Sequence, residues 1–131
     1  MILKNEDYAN VVLTGTILEY DMSAAGPSVT RAENLITEEF YRELMSCTDK
    51  HTRQVKFGLY LGKYNLQTAK EEALNKYVNL FLKENAIKDV HVMEIASDAI
   101  WLLNPPKIHK TSFNEFVKFR LDRSASIMIS Y

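Results

Sequence analysis

"DVHVMEIASDAIWLLNPP", Asp89 to Pro106, is where the chain changes its period. Val90, Val92, Glu94 and Ala96 alternate with His91, Met93 and Ile95, which is the two-residue repeat of a strand with distinct faces. The following "AIWLLN" is almost wholly apolar, as a buried strand is. Ser97 and Asp98 between the two runs are turn residues, and Pro105-Pro106 cannot continue a ladder. The stretch predicts strand, tight turn, strand, with the acid Asp98 at the turn.

The chain upstream of this hairpin reads as helical. Thr68 to Asn85 carries the spacing of a capping box at Thr68 and Glu71 and an apolar stripe of Leu74, Tyr77, Val78, Phe81 and Leu82. Glu72 and Lys76 form a favourable i,i+4 pair, and Asn85 suits a left-handed stop. In "DKHTRQVKFGLYLGKYN", Val55, Leu59 and Gly62 share one helical face. Gly58 and Gly62 weaken that helix by roughly 1 kcal/mol each, or serve to let another backbone or a ligand come close. Thr37 opens "TEEFYRELM", where Phe40, Tyr41 and Leu44 recur at helical spacing and the early glutamates suit a positive helix N-terminus.

Strands flank this helical middle. "VVLTGTILEYD", Val11 to Asp21, is β-branched and aliphatic. Gly26-Pro27 ends it, and "SVTRAENLI" follows as a short helix capped by Ser28. Past the hairpin, "FVKFRLD" sets Val117, Phe119 and Leu121 against Lys118, Arg120 and Asp122, and "SIMISY" reads as a further strand. The order predicts an α+β fold, an antiparallel sheet with helices packed on one face. One domain spanning residues 1–131 is expected, open to truncation at its C-terminus because the sequence stops directly after a strand.

Composition narrows the function classes. A formal net charge of −1 gives no bulk electrostatic pull toward nucleic acid or an anionic membrane. Cys47 is the one cysteine, which fits a reducing cytosol and excludes both an internal disulfide and a thiolate zinc cluster. The start, "MILKNEDYAN", lacks a basic-then-apolar signal pattern, and no apolar run approaches the roughly 20 residues of a membrane span. A cytoplasmic protein is expected, in the host cell's cytoplasm if a phage encodes it. No glycine-rich phosphate loop, serine elbow or histidine pair at metal-ligand spacing occurs.

Asp21 closes an apolar strand and Asp98 sits at the turn of an apolar hairpin. An antiparallel sheet can bring a strand end and a hairpin turn side by side. Two carboxylates held there suit Mg²⁺ or Mn²⁺, with the other positions filled by phosphate and water, and paired divalent ions serve nucleotidyl transfer.

"EYDMSAAGPS" resembles motif A of nucleic-acid polymerase palm domains, where an apolar strand delivers an Asp before small residues and a helix. "MEIASDAIWLL" resembles motif C, the acid-bearing hairpin, and "RQVKFGLYLGK" lies between them where a motif B helix carries basic residues toward the triphosphate. With "VKFRLDRSAS" as the later strand, the likeness is to phage-encoded, polymerase-like proteins and covers about Ile17 to Ser126. The resemblance implies a palm-like fold and a divalent-metal-dependent nucleotidyltransferase acting on nucleic acid. Asp21 and Asp98 would be its metal ligands, with the Met22 backbone carbonyl as a third. Arg53, Lys56 and Lys63 would contact the phosphates of a nucleoside triphosphate. The sequence departs from the pattern at Ser97, where many motif C hairpins place a second acid.

Blander readings stand beside these. Asp21 also fits a helix cap or Asx-turn, and Asp98 ordinary turn chemistry. Arg53, Lys56 and Lys63 also fit a solvated helix face, and Glu94 either an accessory ligand or a solvated strand residue. Trp101 is most simply core. Tyr60 and Tyr64, one helical turn apart, suit core packing or stacking on a base. The competing function is a non-catalytic, small phage-type interaction protein, such as an inhibitor of a host defence or replication enzyme, with a protein partner in place of nucleotide and nucleic acid. Such a protein would expose an apolar patch or pair a free strand edge with its partner.

Overall fold

The structure is a computed structural model that describes residues 12–130, with side chains within 15–126. Val11, Tyr131 and the stretch Met1–Asn10 lie outside the described residues. Strand β1 (Val12–Met22) leads into helices α1 (Ala25–Ala32), α2 (Glu38–Ser46), α3 (Lys50–Lys63) and α4 (Gln67–Glu84). A 3₁₀ turn at Asp89–His91 then precedes β2 (Val92–Ala96), β3 (Ala99–Leu103) and β4 (Phe119–Ser130). The strands form one antiparallel sheet in the order β2-β3-β1-β4. This is the α+β architecture that the order of periodicities predicts.

Alternation along the strands decides which face is covered. Tyr20 and Met22 of β1, Ile100 and Leu102 of β3 and Phe119 of β4 are buried together against Val29 of α1 and Leu74, Tyr77, Val78 and Phe81 of α4. The Phe81 ring lies 4.5 Å from Phe119 and 5.2 Å from Tyr20, centroid to centroid. Burying a large apolar side chain of this kind contributes roughly 1.5–3 kcal/mol, so α4 is held to the sheet by the stripe read from its sequence. Helices α2 and α3 enclose a second cluster of Ile36, Leu44, Phe57 and Leu61, with the Phe40 and Tyr60 rings stacked at 4.0 Å.

Several local expectations are corrected. Gly26-Pro27 does not end β1 as a loop but lies in the first turn of α1, where the N–H that proline lacks would have no partner anyway. Ser28 is therefore inside the helix, its hydroxyl donating to the Ser23 carbonyl at 3.0 Å, and Ala24 in the left-handed region takes the cap position. Helix α4 starts at Gln67, one residue before Thr68, so no capping box forms and Gln67 Nε2 donates to Glu71 Oε1 at 2.9 Å instead. Lys76 pairs with Glu33 beyond the end of α1, not with Glu72, because packing of α1 beside α4 offers a partner across the helices. The left-handed stop is Ala86 (φ 55°), while Asn85 keeps a negative φ and turns inward. "SIMISY" is no separate strand: its described residues continue β4. Trp101 lies opposite Glu19 and Glu94 on the face away from the helices and is only partly buried.

Other expectations agree with the chain. Thr37 caps α2, its Oγ1 accepting from the Phe40 N–H at 3.1 Å. Asp49, which the sequence reading did not single out, caps α3 by accepting from the His51 and Thr52 N–H groups, and its bonds from Thr52 and His51 hold its carboxyl below the usual carboxylate range. Tyr60 packs against the second cluster, with its ring 4.5 Å from and tilted to that of Tyr64, but Tyr64 is 51% exposed and is not core. Among the described residues no helix is long and apolar enough to cross a membrane.

A candidate metal and phosphate site at the sheet end

The site begins with strand register. Asp21 pairs with Ala99 across β1 and β3, so the end of β1 lies beside the Ser97-Asp98 turn. The Met22 N–H donates to the Asp98 carbonyl at 3.2 Å and ties the turn to the strand end. Ser97 takes a positive φ of 56°, the turn conformation that a hairpin with this short connection needs. The chain then turns through Ser23 and Ala24 into α1.

A cavity of about 480 Å³ opens at this junction. Asp21, Met22, Asp98 and the first turn of α1 line it; Lys50, Arg53 and Phe57 come from α3, Lys70 and Glu71 from α4 and Arg120 from β4. Gly26 makes the approach of α3 possible. A Cβ there would stand 2.5 Å from Phe57 Cε2, closer than atoms can come.

The two acids feel each other. Asp21's carboxyl is held above the usual range, first by burial and then by the charge of Asp98 and a hydrogen bond shared with it. Arg120, 3.8 Å away, pulls in the opposite direction. Glu19, two residues back on the same face, is also raised, first by burial and then by the Asp122 carboxyl. Its Oε1 is buried without a hydrogen bond, with Arg123 Nε 3.6 Å off.

Basic side chains line the same cavity. Arg53 donates from Nη2 to the Cys47 carbonyl at 3.3 Å, but its Nε has no hydrogen-bond partner. Lys70 lies 3.4 Å from Glu71. Helix α1 has no side-chain cap and no acid in its first turn, and Ala25, Gly26 and Pro27 of that turn line the cavity.

Of the residues singled out in the sequence, Asp21, Asp98, Met22 and Arg53 are gathered around one cavity. Lys56 and Lys63 are not among its lining residues. Lys56 pairs with Glu43 at 3.3 Å, and the Lys63 ammonium sits 5.3 Å from the centre of the Tyr64 ring. Lys50, Lys70 and Arg120 were missed. Lys50 was within reach of the sequence, three residues before Arg53 and directly after the Asp49 cap; Lys70 and Arg120 carry no local signal, since tertiary packing alone brings them in. Among the described residues no group of three or more His, Cys, Asp or Glu side chains is arranged to hold a metal ion; the carboxylates that line the cavity are those of Asp21, Asp98 and Glu71, the last paired with Lys70. That set is hard and anionic, and it suits a cation such as Mg²⁺ that keeps water and phosphate in its other positions.

The fold and cavity define an α+β protein with acidic and basic side chains gathered at a strand–helix junction. By its sequence the chain belongs to the Bacteriophage PBS1 gene 130 protein family, whose model matches residues 4–130, and it is thereby grouped with phage proteins. No curated protein and no solved structure matches it.

Proposed function

We propose that this phage protein is a palm-like, divalent-metal-dependent nucleotidyltransferase acting on nucleic acid. The observation that carries the reading is the adjacency of Asp21 and Asp98 in a cavity that Arg53 and Lys50 also line. Asp21 and Asp98 would hold Mg²⁺ or Mn²⁺, and the Met22 carbonyl stands at the same edge. The bound ion would supply charge neutralisation for the triphosphate and lower the cost of ionising an attacking hydroxyl. Arg53 supplies a planar fork and Lys50 a point charge for phosphate oxygens, and the uncapped start of α1 adds backbone N–H donors. Together these groups would orient the triphosphate and offset the charge that builds on departing pyrophosphate.

Calorimetric titration with Mn²⁺, then with Mg²⁺ and a nucleoside triphosphate, tests this on the wild type, Asp21→Asn, Asp98→Asn and Arg53→Ala. Binding of Mn²⁺ should be lost in both Asn variants while circular dichroism shows them folded, and Arg53→Ala should keep Mn²⁺ but weaken the nucleotide. Absence of Mn²⁺ binding in the wild type sinks the proposal. A non-catalytic interaction protein is the second reading, and it is favoured by the exposed apolar residues Val55 and Leu59 on α3.

A further inference from the structure

Val55, Gly58, Leu59 and Gly62 are spaced three, one and three residues apart, so they form one stripe along α3. The structure turns that stripe outward: Leu59 is 71% exposed and Val55 47%, while Phe57 and Leu61 on the opposite side are buried. An outward apolar stripe on a helix that already has a buried side is surplus to the fold.

The glycines sharpen the point. Glycine is the poorest helix former after proline, and both positions lie within α3. Gly26 is required because Phe57 occupies the space a Cβ would take, and Gly15 is crowded by Leu103 and Asn104. At Gly58 and Gly62 a Cβ would meet nothing within 4 Å. Neither takes a positive φ. Within the described chain nothing uses the missing side chains, so the bare backbone they leave beside Val55 and Leu59 is available to a backbone from outside.

Charge selects the occupant. Lys50 and Arg53 of α3 line the cavity, and the outer side of the helix carries Lys56 and Lys63 with no Asp or Glu between Lys50 and Lys63. Lys56 and Lys63 flank the stripe on one side, and His51 precedes it on the same face. The contact of Lys56 with Glu43 joins two exposed side chains and leaves the lysine accessible. We infer that the outer face of α3 docks an acidic amphipathic helix of another protein, with its apolar ridge against Val55, Gly58, Leu59 and Gly62 and its carboxylates toward Lys56 and Lys63. A second copy laid α3 against α3 would face like charges. Nucleic acid would meet an apolar centre without arginine. A membrane would gain little from two inserted side chains. The face is separate from the cavity, which uses Arg53 and Phe57 on the other side of the helix.

The probe is a synthetic amphipathic helix with a Leu/Ala ridge flanked by Glu, titrated into the ¹⁵N-labelled full chain and followed by amide shifts. A peptide with Lys in place of Glu is the control. Saturable shifts centred on residues 51–63 are expected, with affinity about tenfold or more weaker for the Lys peptide. Leu59→Lys and the double variant Gly58→Ala/Gly62→Ala should each weaken binding by about tenfold or more. Alanine favours the helix, so loss of binding in the double variant cannot be ascribed to unfolding. The inference is overturned by absence of saturable binding, by equal binding of the Lys peptide, or by a double variant that binds as the wild type does. It is equally overturned if phosphatidylglycerol vesicles, duplex DNA or a self-association abolished by Leu59→Lys engages this face and the Glu peptide does not.

Discussion

Alanine at three of the four glycines should split stability in two directions, and the sign at each site follows from the space around it. At Gly58 and Gly62 the added methyl meets open solvent on a helix with ordinary backbone angles. Each substitution should then gain about 0.8 kcal/mol from the helix preference of alanine. For 131 residues, an unfolding entropy of about 2.1 cal/mol/K per residue makes 1 kcal/mol worth about 3.6 °C in Tm. The double variant should melt about 6 °C above the wild type. At Gly26 the methyl would stand 2.5 Å from Phe57 Cε2 and 3.2 Å from Cζ, and Phe57 is itself buried at 8% exposure. Phe57 cannot swing into solvent without opening the α2–α3 cluster, so Gly26→Ala should cost about 1–3 kcal/mol and lower Tm by about 4–11 °C. Scanning calorimetry at one pH on the three variants reads all of this. A stabilised Gly26→Ala would refute the close approach of α3 to α1, and with it the geometry that brings Arg53 to the cavity. A destabilised Gly58→Ala would mean that something in the chain occupies that space.

Asn85, 1% exposed, donates to the Phe81 and Lys110 carbonyls and accepts from the His109 and Lys110 N–H groups, all within 2.9 Å. Asn85→Ala should therefore cost about 3–4 kcal/mol in urea unfolding, since each net hydrogen bond is worth about 1 kcal/mol and the orphaned buried groups add to it; a cost under about 1 kcal/mol would show that water replaces the side chain freely. The raised carboxyl of Asp21 gives a pH dependence of definite sign. Folding favours its protonated form, so that contribution is complete below its ordinary value of 3.8 and is lost as pH rises through the higher folded value. Asp21→Asn removes the loss, so its Tm advantage over the wild type should widen between about pH 4 and pH 7. A gap that stays constant or narrows would mean that the acid is not strained by burial and Asp98. Saturating Mn²⁺ should close the same gap from the wild-type side by stabilising the ionised pair.

The sequence by itself determined the elements and their types. Branched runs made β1, a change of period made the β2–β3 hairpin with Asp98 at its turn, and Thr37 marked a helix start, because these signals act within a few residues of chain. It also showed which residues share a face: Val55, Leu59 and Gly62 do lie on one side of α3. Periodicity carries no information on which side meets the core, and tertiary packing chose Phe57 and Leu61. The same limit explains Lys76, whose partner Glu33 is 43 positions away, and Trp101, whose apolar neighbours in sequence alternate onto the opposite face of the sheet. At the candidate site the types Asp21, Asp98 and Arg53 were legible. Their gathering was decided by the β1–β3 register and by Gly26 admitting Phe57, and Lys50, Lys70 and Arg120 joined only because the strands and helices that carry them converge at one end of the sheet. Local propensity fixes the hydrogen-bonding pattern of each segment, whereas a cavity is bounded by atoms far apart in the chain, and only burial of the apolar faces brings those atoms together.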